Sequence, residues 1–266
     1  MKSKTPLISV IIPIYNESCN ISALDKEIKK TIEKLPCKYE IIYINDGSTD
    51  SSLKELLSFK KVTIINLTKH YGQSEAIDAG LRQATGQYIV TMDGDGQNNP
   101  KYIITLFNKL ISENFDFVNC RRMHRKTKKG IIFMSSIQKY IQSKLLGDDM
   151  NDPGCSLRIY RKKTINNLYL RGKMHRFITT LLKLRGFSTG EIEITDRRRR
   201  FGKSKYGYGK ALKMSADLLY IFIFIKLKIK TAYFWILTTL LFATSLAIFI
   251  TARKEDISIK ILSGAL

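Results

Sequence analysis

Over the first 111 positions, continuous apolar runs alternate with segments whose apolar residues recur at helical spacing. This pattern predicts strands that alternate with helices. Apolar runs rich in β-branched residues are typical of buried parallel strands and occur at Leu7–Ile14, Tyr39–Asn45, Val62–Leu67 and Gln87–Met92. Apolar residues at helical spacing follow each run: from a cap at Asn20 or Ser22 up to Pro36, around Leu53–Leu57, over Ala76–Ala84 and over Ile103–Ile111. This alternation predicts an α/β fold with a mainly parallel sheet.

The most apolar stretch lies near the end of the chain, at residues 231–252, and contains no charged residue. As a helix it would be about 33 Å long, which matches a hydrocarbon core of roughly 30 Å. We therefore expect a C-terminal transmembrane helix rather than a buried core helix. Lys226, Lys228 and Lys230 precede it. Because basic residues mark the cytoplasmic end of a membrane helix, the N-terminal part is expected on the cytoplasmic face of the membrane.

These patterns divide the chain into four segments. We expect a cytoplasmic domain in residues 1–217, an interfacial basic and apolar segment in residues 218–230, the transmembrane helix in residues 231–252 and a tail in residues 253–266. For Ile257–Leu266, the beginning of a second membrane helix is the alternative to a tail. The start of the chain is short and polar before the first apolar run, so we expect no cleavable signal peptide.

Charge and composition narrow the functional classes. Among 266 residues, 45 are Lys or Arg and 23 are Asp or Glu, which gives a net charge of +22. An excess of this size indicates an anionic partner: nucleic acid, an acidic membrane surface or a phosphorylated substrate. The content of hydrophobic residues, 44%, excludes wholesale disorder. Four cysteines without CxxC spacing exclude a zinc knuckle and a disulfide scaffold and favour a reducing compartment.

Polar segments follow the first, second and fourth predicted strands: YNE, NDGSTD and DGDGQ. The carboxyl ends of parallel strands meet at one edge of a sheet, so these segments are expected to converge on one crevice. Asp93 and Asp95 flank a glycine, and two carboxylates so placed can hold a divalent cation that also binds a diphosphate. A DxD motif in isolation more often forms a turn. Because this one follows a predicted strand and lies beside two other polar strand ends, a cation-binding site is the favoured interpretation. Neither GxGxxG nor GxxxxGK[ST] is present. The sequence therefore lacks the phosphate-binding motifs that are typical of dinucleotide-binding dehydrogenases and of P-loop NTPases.

Six segments together resemble one enzyme family. In chain order they are IIPIYNE, NDGSTD, HYGQSEAIDAGLRQATGQYIVTMDGDGQ, NDPGCSLRIYRK, MHRF and RRFGKSKY. This set is similar to the family 2 glycosyltransferases of the polyprenyl-phosphate type, which use dolichol or undecaprenyl phosphate. The resemblance covers about Ile8 to Tyr208 and implies a GT-A nucleotide-sugar-binding fold. It further implies an inverting transfer of a sugar, from GDP-mannose or UDP-glucose, to the phosphate of a membrane polyprenol, with Mg²⁺ or Mn²⁺ as cofactor.

The same resemblance implies roles for individual residues. Those expected to bind the nucleotide-sugar are Pro13, Tyr15, Glu17, Asp46, Gln73 and Asp93. Those expected to hold the metal are Asp93, Asp95 and Gln97. Those expected to bind the acceptor phosphate are Arg121, Ser135, Arg199, Ser204 and Lys205, and Asp95 and Arg199 are the expected catalytic residues. For Gln73, an ordinary position at a helix N-terminus is an equal alternative. His175 and Arg176 of MHRF are expected to pack or support the site, and Cys155 is expected to be a small packed residue.

Other functions remain open at this stage. A family 2 enzyme with a soluble or protein acceptor would share most of these motifs. A processive polysaccharide synthase shares the fold but carries QxxRW, which is absent because the single tryptophan, Trp235, lies in the apolar segment. A membrane-tethered nucleic-acid-binding protein would use the positive charge but would leave the aspartates unexplained, so we expect no nucleic-acid partner.

Overall fold

The structure is a computed structural model that describes residues 7–123, 143, 150–170, 172 and 174–197. All of them lie in residues 1–217, the first of the two units into which the chain divides. The strands are β1 (Leu7–Ile14), β2 (Lys38–Asn45), β3 (Thr63–Asn66), β4 (Tyr88–Thr91), β5 (Phe117–Arg122), β6 (Arg158–Arg161) and β7 (Thr189–Ile194). The helices are α1 (Ser18–Ile32), α2 (Ser52–Leu57), α3 (Gln73–Gln83), α4 (Tyr102–Ser112), α5 (Lys162–Ile165) and α6 (Ile178–Leu184), with a 3₁₀ turn at Met174–Phe177.

The described strands form one sheet in the order β3-β2-β1-β4-β6-β5-β7. Strands β3, β2, β1 and β4 pair in parallel, and β5 pairs in parallel with β7. Strand β6 runs antiparallel to both of its neighbours, β4 and β5. All the described strands except β6 therefore end at the same edge of the sheet. The predicted mainly parallel α/β sheet is confirmed.

Strand β1 lies in the middle of the parallel part and is buried on both faces. Ile8, Val10 and Ile12 belong to a core cluster that also contains the apolar side chains of α1 and α4. On the opposite face, Ile11 lies beneath α3 and has no exposed surface. Burial on both faces explains why this strand is a continuous apolar run rather than an alternating one.

The predicted start of the first helix is wrong by several residues. Helix α1 begins at Ser18, with Glu17 in the cap position, instead of after Asn20 or Ser22. The N–H of Glu17 donates to Ser52 Oγ at 2.9 Å, and the N–H of Ser18 donates to a carboxylate oxygen of Asp50 at 3.2 Å. The loop after β2 thus satisfies the helix N-terminus, and a local sequence pattern cannot reveal such a partner.

Two further helix boundaries differ by three or four residues. Helix α1 ends at Ile32, ahead of Pro36, and α3 begins at Gln73, three residues before the predicted Ala76. The remaining strands and helices up to Ser112 agree with the prediction to within two residues.

The predicted membrane helix at residues 231–252 lies outside the described residues, as do the segments at 218–230 and 253–266. Their limits and the expected position of the transmembrane helix stay predictions. In the part of the chain that the structure describes, no helix combines the length and the apolar character needed to cross a bilayer.

Gly80 provides a test of how α3 packs on the sheet. A Cβ atom at this position would come within 2.5 Å of Ile11 Cγ2 and 2.8 Å of Ile44 Cδ1. Alanine inside a helix is normally more stable than glycine by about 0.5–1 kcal/mol. Overpacking a core costs about 1–3 kcal/mol, and this helix preference offsets part of the cost, so we expect Gly80→Ala to lower the free energy of unfolding by up to about 2 kcal/mol. Urea denaturation of the full-length chain, followed by circular dichroism, measures this.

Gly154→Ala is the matched control, because its Cβ would make ordinary contacts at 3.7 and 3.8 Å. We expect this variant to unfold at nearly the same urea concentration as the wild type. A Gly80→Ala variant as stable as the wild type would contradict the close packing of α3 on β1 and β2.

Candidate active site

Most of the predicted site residues lie at the edge of the sheet where the parallel strands end. The described ones at this edge are Pro13, Tyr15, Glu17, Asp46, Gln73, Asp93, Asp95, Gln97 and Arg121. The convergence of the segments after β1, β2 and β4 was predicted from the sequence, and adjacent strands produce it here. Ser135, Arg199, Ser204 and Lys205 lie outside the described residues.

Asp46 organises the segment that leads from β3 into α3. Its side chain is buried, and its carboxylate accepts the N–H of Tyr71 at 2.8 Å and the N–H of Gly72 at 3.0 Å. It also pairs with His70 Nδ1 at 2.8 Å. The side chains of His70 and Tyr71 face solvent, and each is about half exposed. Asp46 therefore fixes two aromatic rings at the edge of the sheet.

Tyr15 stacks on His70, with ring centroids 3.8 Å apart and an interplanar angle of 19°. The next residue, Asn16, has φ of 54°, a left-handed conformation that is uncommon outside glycine. Its N–H donates to Ser48 Oγ at 3.0 Å and its side-chain oxygen accepts the N–H of Thr49 at 2.8 Å. These bonds hold the turn after β1, so Tyr15 and His70 form a fixed aromatic surface.

Asp50, which received no role from the sequence, joins the first two polar segments. One carboxylate oxygen accepts the N–H of Ser18 and the other accepts the N–H of Ser52, at 3.2 and 2.9 Å. Partial burial alone would raise the pKa of Asp50, but these hydrogen bonds outweigh it and lower the pKa. The side chain therefore stays ionised and anchors the N-termini of α1 and α2 at the site edge.

The DGDGQ segment lies directly against the end of β1. A Cβ on Gly94 would come within 2.2 Å of Ile14 Cδ1 and 3.0 Å of the carbonyl oxygen of Pro13, so only glycine fits there. Gln73 Nε2 donates to Asp93 Oδ1 at 2.6 Å, and the N–H of Gln97 donates to Asp95 Oδ1 at 3.0 Å. Gln73 is thus both the first residue of α3 and a partner of a predicted metal ligand.

This segment has a donor set that fits a hard divalent cation. Mg²⁺ is usually held by one or two carboxylates and completed by substrate phosphates and water. Asp93 and Asp95 supply two half-buried carboxylates, and Gln97 supplies an amide oxygen. Within the described ranges, no group of three or more His, Cys, Asp and Glu side chains forms a metal cluster. Oxygen atoms of a bound substrate or of water would complete the coordination of a cation here.

Two adjacent arginines at the end of β5 have different surroundings. Arg122 forms a two-pronged ion pair with Asp152, with N–O distances of 2.6 and 2.8 Å. Burial alone would lower the pKa of Arg122, but the Asp152 carboxylate outweighs it and raises the pKa. Arg121 is more exposed and makes a long contact of 3.4 Å with Glu193. Arg122 holds the loop before β6, whereas Arg121 presents its charge at the surface of the edge.

The chain that leaves β7 is attached to the DGDGQ segment. The N–H of Arg197 donates to the carbonyl oxygen of Gln97 at 2.9 Å, and the Arg197 side chain pairs with Glu27. Asn98 Nδ2 donates to Asp196 Oδ1 at 3.4 Å. These contacts fix the start of the basic run RRRRFGKSK beside the predicted cation site.

The sequence prediction also gave no role to His70, Ser74 and Asp152. His70 and Asp152 lie inside segments that carry the family resemblance, next to residues that were assigned, and that position was the available signal. Ser74 also lies in such a segment, directly after Gln73, but nothing in the sequence indicated its partner, His175, which is about a hundred positions away. Cys155 is fully buried, as predicted for a small packed residue.

The family model described as "Glycosyl transferase family 2" matches residues 9–169, which is more than half of the chain and includes the strand ends described above. The chain belongs to glycosyl transferase family 2. The resemblance inferred from the six segments is confirmed.

Relatives of this family 2 chain act on polyprenyl phosphates, according to their names. The dodecaprenyl-phosphate galacturonate synthase of Rhizobium johnstonii is 32% identical over 223 residues, covering 80% of this chain and 65% of the relative. The undecaprenyl-phosphate 4-deoxy-4-formamido-L-arabinose transferase of Proteus mirabilis is 35% identical over 217 residues, covering 80% of this chain and 66% of the relative. The matched region thus spans slightly under two thirds of either relative.

Solved structures share the fold at low sequence identity. Glucosyl-3-phosphoglycerate synthase from Mycobacterium tuberculosis, in complex with Mn²⁺ and UDP-glucose, has a TM-score of 0.63 at 15% identity, covering 80% of this chain and 78% of that chain. A mannosyltransferase from Pyrobaculum calidifontis, in complex with GDP-mannose and Mn²⁺, has a TM-score of 0.60 at 19% identity, covering 84% and 64%. These similarities confirm the predicted GT-A-like α/β fold.

Asp46→Asn tests whether this carboxylate holds the segment of residues 70–72. The amide nitrogen of asparagine cannot accept the N–H of Gly72, and a hydrogen bond to a charged group contributes about 1.5–3 kcal/mol. We expect the backbone amides of Tyr71 and Gly72 to exchange with deuterium about tenfold to a hundredfold faster, as measured by mass spectrometry. Glu113→Gln, which removes an exposed ion pair with Lys109, is the control and should leave this exchange unchanged. Unchanged exchange in Asp46→Asn would contradict the assignment.

Proposed function

We propose that this chain transfers a sugar from a nucleotide-sugar to the phosphate of a membrane polyprenol. The observation that carries the proposal is the hydrogen bond from the N–H of Arg197 to the carbonyl oxygen of Gln97. It joins the segment suited to a cation and a diphosphate to the start of the basic run that resembles the family's acceptor motif. The printed names of the relatives, which are dodecaprenyl- and undecaprenyl-phosphate sugar transferases, support the same acceptor class.

On the donor side, the proposal assigns the nucleobase and ribose to the aromatic surface of Tyr15 and His70, next to Pro13, Glu17 and Asp46. Asp93, Asp95 and Gln97 would hold Mg²⁺ or Mn²⁺. When bound, the cation neutralises the charge that develops on the departing nucleoside diphosphate. Gln73 donates to Asp93 Oδ1 and so limits the rotation of that carboxylate. The Mn²⁺ complexes of the solved relatives support this choice of cofactor.

On the acceptor side, the proposal assigns the lipid phosphate to Arg121, Ser135, Arg199, Ser204 and Lys205. Two residues of extended chain span about 7 Å, so Arg199 can reach the edge to which Arg197 is attached. The acceptor phosphate and the donor diphosphate are both anionic, and guanidinium groups can hold them together by charge-assisted hydrogen bonds. The exposed side chain of Arg121 is suited to this role, whereas Arg122 is already committed to Asp152.

The proposed reaction is a single in-line displacement. An oxygen of the polyprenyl phosphate forms a bond to the anomeric carbon of the sugar, and the bond from that carbon to the nucleoside diphosphate breaks with inversion. A phosphate monoester has a second pKa of about 6, so the attacking oxygen is largely ionised at neutral pH. The reaction therefore needs no protein base, and the protein acts by orienting the two phosphates and balancing their charge.

Two observations suggest which sugars the chain transfers. The sequence resemblance favours GDP-mannose or UDP-glucose. The names of the relatives add galacturonate and 4-deoxy-4-formamido-L-arabinose to the sugars to be tested. We further propose that residues 231–252 anchor the chain in the membrane with the catalytic domain on the cytoplasmic face, because the lipid acceptor is confined to the bilayer.

The proposal is tested with membranes that contain the full-length chain, Mg²⁺ and undecaprenyl phosphate. Radiolabelled nucleotide-sugars are added one at a time, and label extractable into organic solvent is counted. We expect one donor to label the lipid, and EDTA to abolish the labelling. Label that enters only a soluble phosphorylated acceptor, or no lipid label from any donor, would contradict the proposed acceptor.

Substitutions test the assigned roles. We expect Asp95→Ala and Arg199→Ala each to reduce lipid labelling at least about a hundredfold, because each removes a group that balances charge on a phosphate. Glu113→Gln and Arg185→Ala remove charges at the opposite edge of the sheet and should leave labelling near the wild-type rate. Urea denaturation checks that all four variants are folded. Near-normal turnover in a folded Asp95→Ala or Arg199→Ala variant would exclude the role assigned to that residue.

A further inference from the structure

The described part of the loop that leads into the 3₁₀ turn, together with His175 in that turn, is held against α3 by side chains of the helix. Its contacts are Leu170 N–H to Asp78 Oδ1 at 3.0 Å, Gly172 N–H to Glu75 Oε1 at 2.7 Å, His175 N–H to Ser74 Oγ at 3.0 Å, and Ser74 Oγ with His175 Nδ1 at 2.7 Å. Two of the four involve His175, and both go to the same hydroxyl. Both the ring and the backbone N–H of His175 are therefore hydrogen-bonded to the first turn of α3.

That first turn is also the one that reaches the predicted cation site. Ser74 follows Gln73, whose side-chain amide donates to Asp93 Oδ1 at 2.6 Å. Ser74 has no exposed surface, so solvent does not supply a replacement for a lost partner. A buried hydroxyl without its hydrogen bonds costs about 1–3 kcal/mol, which makes the two contacts to His175 a strong restraint on this turn.

His175 is itself held from the other side. Its carbonyl oxygen accepts from Arg158 Nη1 at 3.3 Å, and Arg158 is only 2% exposed. Arg158 also donates to Asn119 Oδ1 at 3.0 Å and to the carbonyl oxygen of Pro153 at 2.5 Å. Because a guanidinium stays charged and has a fixed planar shape, these contacts set its position in the sheet. His175 thus connects a fixed point on β6 to the start of α3.

We propose that His175 is a positioning residue for the cation site formed by Asp93 and Asp95. It acts through Ser74 on the first turn of α3, and through Gln73 on the direction of Asp93 Oδ1. Groups that hydrogen-bond a metal ligand typically change metal affinity about tenfold to a hundredfold when they are removed. The inference rests on the proposed function for the cation, and it assigns to the MHRF segment a role in cation binding rather than in contact with the reacting atoms.

The test measures how much a cation strengthens nucleotide binding. The dissociation constants of UDP and of GDP are determined by equilibrium dialysis on the full-length chain, once with excess Mn²⁺ and once with EDTA. The ratio of the constant in EDTA to the constant in Mn²⁺ measures the contribution of the cation to nucleotide affinity. A general loss of structure weakens nucleotide binding under both conditions and leaves the ratio unchanged.

We expect His175→Ala and Ser74→Ala each to reduce this ratio measurably, by no more than the loss of about tenfold to a hundredfold expected for Gln73→Ala, since Gln73 is the residue that contacts Asp93. His175→Asn should preserve most of it, because the asparagine side chain places a polar atom near the position of Nδ1. His175→Gln should behave like His175→Ala, since its polar atoms lie near the position of Nε2. In a Gln73→Ala background, His175→Ala should have little further effect, because the path from His175 to Asp93 is already broken.

Asp78→Ala is the matched control, since it removes another contact between the loop and α3, one turn away from Gln73. It should leave the ratio at the wild-type value. An equal loss in Asp78→Ala and His175→Ala, or full additivity with Gln73→Ala, would overturn the positioning role. If the wild type shows a cation effect that Asp93→Ala removes and His175→Ala does not, the inference fails while the proposed function stands. A wild type without any cation effect would overturn both.

Discussion

The parallel pairing of β1 with β2 and β4 is the constraint on which the site depends. Ile14 is paired with Asn45, and Ile11 with Thr91, so the polar segments that follow these strands start next to one another. The apolar core enforces this register, because a shift of one residue would turn buried side chains such as Ile8 and Val10 to the wrong face. Packing in the core thereby decides which polar groups meet at the edge.

The acidic side chains at this edge fall into two groups. Asp46, Asp50 and Asp152 accept hydrogen bonds from backbone N–H groups, arginine or histidine, and they shape the loops. Asp93 and Asp95 lie in the segment whose donor set suits a cation. The first group anchors the loops after β1, before α3 and before β6, which end at the same edge as DGDGQ. In a chain of net charge +22, these carboxylates also limit the positive potential at the site, so that a cation can bind beside the arginines.

Contacts between distant parts of the sequence complete the arrangement. Ser74 meets His175, Gln97 meets Arg197, and Arg122 meets Asp152. In each pair, one residue lies in the first half of the chain, up to the end of β5, and the other lies after residue 150. Arg122 and Asp152 meet because β5 ends at this edge and the antiparallel β6 begins there, and Arg197 reaches the same edge because β7 runs parallel to β5. The DGDGQ segment and the chain that leaves β7 are thus joined by hydrogen bonds.

The sequence by itself determined the type of fold and placed two carboxylates and an amide in the DGDGQ segment. The apolar runs predicted the first four strands and their helices because burial on both faces demands continuous β-branched residues, as in Leu7–Ile14. The motif order predicted family 2 because six segments agreed at once. The tertiary structure alone decided where α1 begins, that Asp46 is turned toward residues 70–72, and that Ser74 meets His175. Those features depend on hydrogen bonds between residues that are 25 to 100 or so positions apart, and pairings of that kind exist only once the core has packed.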